Sequence, residues 1–288
     1  MTEQPEVIRL GPEQLEALHR VQYEMLLALD TLCNEHGIRY QVAAGTLLGA
    51  IRHKDFIPWD DDVDVIMLRE HYDKFIQLSG EFTQYSMQIQ AFQIDPQWKS
   101  LSARLRRKDS ELRFVWDSPT GNNGIFIDVF PMDVVDTKSA IGKAHIAAIR
   151  CLRRIERIVY YPQSDEQESL KKQLINLGLW PVRLLFRAMP LRLMLQIIDV
   201  TIRLLNRRPA GDVACLTQMN PCQLASMSMK RPKSELEEIV LVNIRQHLFP
   251  APASYETTLR RLYGDYHHIP PKSLQISHHP VVKFQLPL

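Results

Sequence analysis

Four aspartates fall within five positions, Asp60, Asp61, Asp62 and Asp64, directly before the apolar run Val65-Ile66-Met67-Leu68. If Asp62 to Val65 lie on a strand, alternation sends Asp62 and Asp64 to one face and Val63 and Val65 to the other. Two carboxylates side by side at a strand end suit a hard divalent cation, Mg²⁺ or Mn²⁺. Mg²⁺ binds through one or two carboxylates and leaves its other positions to substrate phosphates and water. A solvated acidic loop is the alternative reading. It is the weaker one, because the run leads straight into a core strand, where like charges without a counter-ion are costly. The same alternation turns Asp61 away, as a solvated surface acid.

Two further features join the aspartates. Gly45-Thr46 stands where a strand gives way to a helix, so backbone and hydroxyl can approach a phosphate at the helix N-terminus. Asp128 interrupts the apolar run Ile125-Phe126-Ile127-Asp128-Val129-Phe130, and a carboxylate there needs a cation or hydrogen-bond donors. A Gly-Thr turn, an Asp-x-Asp strand and a third acidic strand describe a nucleotidyltransferase arrangement, with three carboxylates around the metals that grip a nucleoside phosphate. Basic residues follow the same logic. Arg52, His53 and Lys54 come just after the Gly-Thr helix, and Arg52 can hold phosphate oxygens in bidentate fashion. Arg104 and Arg106 share one face of a strand and are candidates for phosphate contact.

The elements that must position these residues can be read from periodicity. Apolar residues at Leu15, Leu18, Met25, Leu29 and Leu32 predict a helix from Pro12 to Glu35, stopped by Gly37. A strand is predicted from Ile38 to Ala44, a short helix from Thr46 to Ile51, and a helix from Arg69 to Ser79. Another strand runs from Gly124 to Phe130 and is closed by Pro131. From Ala140 to Ile158 and from Leu170 to Asn206 the pattern is helical. A helix from Tyr255 to Tyr263 precedes an extended, proline-rich surface tail. The expected fold is α+β (α/β), a nucleotidyltransferase-like mixed sheet core with helices, plus a mostly helical C-terminal half. The division is residues 1–137 as catalytic core and 138–288 as a mostly helical region whose last segment returns to the active site.

Composition narrows the classes. A chain of 288 residues with 45% hydrophobic and 24% charged residues can build a full core, and a net charge of +2 gives no case for a nucleic-acid partner. The polar, acidic start Met1 to Glu6 lacks the pattern of a signal peptide. Cys33, Cys151, Cys215 and Cys222 form no Cys-x-x-Cys pair, which points to reduced thiols in a cytoplasmic protein.

Ala44 to Lys54, followed by Phe56-Ile57-Pro58-Trp59-Asp60-Asp61-Asp62-Val63-Asp64-Val65, resembles the signature of the LicD family, which includes fukutin and fukutin-related protein. Gly124 to Asp133 resembles its second motif. Leu262-Tyr263-Gly264-Asp265-Tyr266, with Pro270-Pro271 and His278, resembles its C-terminal motif. The blocks run in the family's order across nearly the whole chain. The resemblance implies a metal-dependent transferase that moves phosphocholine from CDP-choline to a hydroxyl of a cell-surface glycan precursor, of lipopolysaccharide or teichoic-acid type, releasing CMP. Another phospho-alcohol on a CDP-linked donor, such as phosphoribitol or phosphoglycerol, is the alternative within the class. A non-catalytic nucleotide-binding scaffold is the alternative outside it. In this scheme Asp62, Asp64 and Asp128 are catalytic metal ligands, with Asp128 also a candidate base. Asp60 matches the first acid of the family's Asp-x-Asp-x-Asp run and joins the metal set. Gly45, Thr46, Arg52, Arg104 and Arg106 bind substrate.

A choline head would need an aromatic wall, for which Trp59, Trp116, Tyr263 and Tyr266 are available. His278 and His279 read as exposed tail residues. Leu179 to Arg208 mixes Leu, Ile and Met with Arg183, Arg187, Arg192, Arg203, Arg207 and Arg208 against one acid, Asp199. Charges and prolines recur too often for a spanning helix. An interfacial helix pair on an anionic membrane is expected, placing a cytoplasmic protein peripherally on the inner face of the cell membrane near a glycolipid acceptor.

Overall fold

A computed structural model describes residues 6–161, 180–186, 188–208, 211–218, 230–277 and 279–287. Its centre is a seven-stranded mixed sheet. The strands are β1 (Gln41–Val42), β2 (Asp64–Leu68), β3 (Met87–Gln90), β4 (Ala103–Arg107), β6 (Phe126–Val135), β7 (Asp212–Ala214) and β8 (Arg231–Pro232). The main path runs β1-β2-β6-β4-β3, with β7 also on β6 and β8 on β7. Only β2 and β6 are parallel, and the other pairs are antiparallel. Together with the helices this is the α+β architecture expected.

Strand β2 shows why the sheet is buried on both sides. Val65 and Met67 enter the main core, while Ile66 and Leu68 enter a second cluster with Met132, Val134 and Val213. Such continuous apolar runs mark strands covered on both faces. Helix α1 (Pro12–Glu35) covers one of them. It follows Gly11 with Pro12 at its first position, and it buries Leu15, Leu18, Met25, Leu29 and Leu32 in a single stripe.

Two predicted strands differ from the observed ones. The first keeps only Gln41 and Val42. The Ile38 N–H is taken by Cys33 O at the end of α1, and Ala44 turns to φ 44° to start α2 (Ala44–Arg52). The second does not stop at Pro131 but runs on to Val135. Asp128 N–H bonds to Val63 O and Val134 N–H to Asn206 Oδ1, so even-numbered N–H groups of β6 face the β2 side. The missing N–H of Pro131 therefore lies on the opposite edge. There β4 pairs no further than Val129, and β7 begins opposite Asp133. Proline is tolerated where no ladder bond is required.

Helix α3 (Arg69–Gln77) follows β2 and continues as a 3-10 segment to Tyr85. Helices α4 (Ala140–Tyr160), α5 (Trp180–Phe186) and α6 (Leu191–Arg203) form the helical region, with Pro190 before α6. Residues 162–179 and Arg187 lie outside the described residues. Met194, Leu195, Ile198 and Ile202 of α6 pack with Ile149 of α4 and Val135 of β6. An ion network, buried at Arg69, Asp133 and Asp199 and partly exposed at Arg203 and Asp73, binds α6 to the sheet and α3. Arg69 meets Asp133 at 2.8 Å and Asp199 at 3.2 Å, while Arg203 meets Asp199 at 2.6 Å and Asp73 at 2.5 Å.

The second half carries more strand than its pattern predicts. Besides β7 and β8, a hairpin of β9 (Ile239–Ile244) and β10 (His247–Pro252) packs against α2 and β1. Helix α7 (Tyr255–Tyr263) has the predicted bounds. The tail after it is not merely extended on the surface. Its β11 (Val281–Gln285) pairs with β5 (Glu111–Phe114) and fully buries Val281. Cys33, Cys151 and Cys215 are free thiols, and Cys222 lies outside the described residues.

Candidate active site

The parallel pairing of β2 and β6 sets Asp64 directly opposite Asp128, and the β4 register sets Arg104 opposite Asp128 from the other side. Asp62 stands two residues before β2. One carboxylate oxygen from each of Asp62, Asp64 and Asp128 lies within 4.8 Å of the other two. The guanidinium of Arg104 donates to Asp128 at 2.7 and 3.5 Å. Asp128 is thus both a member of the acidic cluster and one half of an ion pair.

The loop that carries the aspartates is held from behind. His19 Nε2 donates to Asp60 O at 2.9 Å and Gln22 Nε2 to Asp61 O at 3.1 Å, both from α1. Burial lowers the His19 pKa, which favours the neutral ring. Thr46 Oγ1 accepts the Asp64 N–H at 2.9 Å, fixing the first residue of β2 to the first turn of α2. Gly45 lies so close to Asp60 that a Cβ there would stand 2.4 Å from Asp60 Oδ2.

The cluster is short of positive charge. Burial, then Asp62 and Asp61, raises the Asp60 carboxyl to about 8. Burial, then Asp128, raises Asp62 to about 6, and Asp64 is also pushed well above the usual carboxylate range by burial and by Asp62. Three oxygen donors with excess negative charge in a desolvated place fit a hard divalent cation, and spacing of this order lets one ion touch all three.

Several residues are placed differently from the sequence expectation. Asp61 is not a solvated acid. It is fully buried and accepts from His279 Nδ1 at 2.6 Å and from the His279 N–H at 3.1 Å. Asp61 lies ahead of β2, which starts at Asp64, so the alternation of that strand does not fix where its side chain points. His279 is correspondingly no exposed tail residue. Its Nε2 lies 4.0 Å from Asp62, and its hydrogen bond to Asp61 raises its pKa against the effect of burial. His278 lies outside the described residues. Thr46 is buried with its hydroxyl engaged by Asp64, so it positions Asp64 and does not line the cleft. Arg106 does share a face with Arg104 but is fully enclosed, held by Gln90 Oε1 at 2.5 Å and Gly124 O at 2.7 Å. Arg52 faces the cleft as expected and donates to the carbonyls of Tyr266 at 3.3 Å and His268 at 3.0 Å.

A cleft of about 430 Å³ opens on this cluster. Asp60, Asp62 and Asp64 form one wall, Gly45 and Arg52 of α2 another, and Trp59, Tyr263 and Tyr266 contribute aromatic surface. Asp265 and His279 complete it from the C-terminal segment. The sequence signal for these late residues was the C-terminal motif itself, but nothing in its spacing shows which side chains turn inward.

Residues 37–147 match the family model described as LicD/FKTN/FKRP, nucleotidyltransferase domain. The chain is 27% identical over 279 residues to the lipopolysaccharide cholinephosphotransferase LicD of Haemophilus influenzae, a match covering 94% of this chain and 96% of that protein. Over 44 residues it is 50% identical to the ribitol 5-phosphate transferase FKRP of mouse and of human, covering 15% of this chain and 9% of those proteins.

Proposed function

Because the chain belongs to the LicD family, we propose that it is a metal-dependent phosphotransferase moving phosphocholine from CDP-choline to a glycan hydroxyl, with release of CMP. The observation that carries the choline assignment is the cleft's aromatic and acidic lining. Tyr263 and Tyr266 stand beside Asp60, Asp62 and Asp64, and a quaternary ammonium is recognised by aromatic faces within reach of negative charge. Trp59 is less available, since the Arg52 guanidinium lies over its ring at 5.8 Å.

The reaction is an in-line displacement, in which positioning and charge neutralisation do most of the work. Asp62, Asp64 and Asp128 would hold Mg²⁺ or Mn²⁺, which when bound neutralises the charge developing on the phosphoryl oxygens. Asp60 stands beside them as a further ligand or as a hydrogen-bond acceptor for a bound water. Arg104 orients Asp128 through its ion pair, and Thr46 fixes the backbone of Asp64. Gly45 leaves the end of α2 open, and Arg52 supplies a cation to the phosphate side of the cleft. Asp128 is assigned the proton of the attacking hydroxyl.

The test is CMP release from CDP-choline, CDP-ribitol and CDP-glycerol, each with a lipopolysaccharide oligosaccharide as acceptor, with and without EDTA. CDP-choline should be preferred, EDTA should abolish turnover, and Tyr263→Ala should raise KM for CDP-choline alone. A preference for CDP-ribitol would favour the second reading, phosphoribitol transfer, which the short stretch of high identity to the ribitol 5-phosphate transferase supports. No CMP release from any donor would leave only the nucleotide-binding scaffold.

A further inference from the structure

A second cavity, of about 650 Å³, adjoins the carboxylate cluster and has Asp128 in its wall. The first cleft carries Asp60, Asp62 and Asp64 instead, so the two cavities reach the same cluster through different members. Nothing in the donor reading uses this second space.

Its lining is unlike that of the first. The guanidiniums of Arg104 and Arg106 are both committed, one to Asp128 at 2.7 Å and the other to Gln90 at 2.5 Å and Gly124 O at 2.7 Å. Lys99 is exposed, so the enclosed wall has no uncommitted cation for a diphosphate. What remains is one further acid, Asp117, and neutral groups: the hydroxyl of Thr120 and the amides of Asn122, Asn123 and Gln218, each held at one end, by the Gly124 N–H, Ser118 O and Ser102 Oγ, and keeping its other end for a ligand. Amides and hydroxyls both donate and accept, which matches the vicinal hydroxyls of a sugar better than a phosphate. Trp116 adds a flat apolar surface. It is 60% exposed, and it is backed by Phe114 at 5.3 Å and His279 at 6.0 Å, so an indole this large stands open at the rim. Trp98 lines the same cavity and is fixed by donating Nε1–H to Ser102 O at 2.7 Å. A concave pocket with aromatic walls and a few placed polar groups is the usual form of a small-molecule site.

We infer that this second cavity is the acceptor subsite and binds a neutral sugar ring against Trp116, presenting its attacking hydroxyl to Asp128. The inference rests on the phosphotransferase reading and adds where each substrate enters. The donor lies in the aromatic, acidic cleft, the sugar in the amide-lined cavity, and the two meet at the shared carboxylates. In the transfer the sugar oxygen forms its bond to the phosphocholine phosphorus, and the bond from that phosphorus to CMP breaks. The electron pair leaves with CMP, and the hydroxyl proton passes to Asp128.

Trp116→Ala tests this, since truncating a side chain that is 60% exposed should leave the fold intact. Saturation-transfer NMR with methyl β-galactoside and methyl N-acetylglucosaminide would be run beside CMP titration on both proteins. The expected result is glycoside binding by the parent protein that weakens by roughly tenfold in Trp116→Ala, with CMP affinity the same to within about twofold. Glycosides that bind both proteins alike, or neither, overturn the inference while leaving the donor reading in place. Loss of CMP binding in Trp116→Ala alone also overturns it, by assigning the cavity to the nucleotide. Failure of both proteins to bind CMP removes the phosphotransferase reading itself, and the inference with it.

Discussion

The acidic cluster behaves as a store of repulsion that a cation would relieve, and this makes its members testable one by one. Asp64→Asn removes one of the mutually repelling, buried carboxylates. Without added metal its Tm should therefore equal or exceed that of the parent, while CMP release is lost. Normal CMP release by this variant would remove Asp64 from the metal set. The pH dependence follows from the same groups. Asp60, Asp62 and Asp64 all have folded-state pKa values above the unfolded range near 4, so the folded state binds more protons. Their contribution is fully present below about pH 4 and is lost as pH rises through about 6 for Asp62 and about 8 for Asp60. Measured in EDTA, Tm should fall between pH 5 and 8, and Mg²⁺ should restore more of it at pH 8 than at pH 5. A flat profile in EDTA would contradict the picture of an uncompensated cluster. Asp62, Asp64 and Asp128 were legible in the sequence because each belongs to, or directly precedes, an apolar run. Asp61 and His279 were not, because their contact joins a loop residue to one 218 positions away.

At the level of elements, two glycines separate function from folding. A Cβ on Gly45 meets only the Asp60 side chain, whereas a Cβ on Gly124 would stand 1.7 Å from the carbonyl of Arg107, on a neighbouring backbone segment. Gly45→Ala should cost less than about 1 kcal/mol in a denaturant titration and still depress turnover by displacing Asp60. Gly124→Ala should cost about 3 kcal/mol, because backbone cannot yield as a carboxylate can. Equal destabilisation by the two would mean that Asp60 is as rigid as the sheet. Long periodic elements such as α1, α4 and α7 could be read from the sequence almost to the residue. The shortened β1 could not, since its limits are set by the hydrogen bond that closes α1 and by the left-handed backbone at Ala44, neither of which has a composition signal.

For the whole molecule, the expectation of arginines reaching toward a membrane needs revision. Arg203 is spent on Asp73 and Asp199, where it ties α6 to the body of the protein. No helix among the described residues is long and apolar enough to cross a membrane. What α6 and the turn after it do expose is a row of apolar side chains at helical spacing, Leu193, Ile197, Val200 and Leu204, with Arg192 and Arg207 nearby. A peripheral contact would use that row, with the two arginines adding electrostatic attraction of about 1 kcal/mol each close to an anionic surface. In vesicle co-sedimentation, Ile197→Glu/Val200→Glu should lose binding to anionic vesicles, and high salt should weaken the parent protein. Equal partitioning of the two proteins would exclude this face. Arg203→Ala, by contrast, should lower stability, because it leaves buried Asp199 with one partner fewer.

The proline within β6 also governs which pairings the molecule can adopt at all. Two strands share one edge of β6, β4 up to Val129 and β7 from Asp133, and Pro131 stands between them with no donor to offer either. Neither neighbour can creep along the edge into the other's place. Slippage of β4 by a single residue would swing Arg104 to the far face of the sheet, and by two would set it against Phe126 or Phe130 instead of Asp128. A residue without an N–H thus acts as a ratchet stop, and the alignment of the acidic cluster is guarded by an atom that is not there.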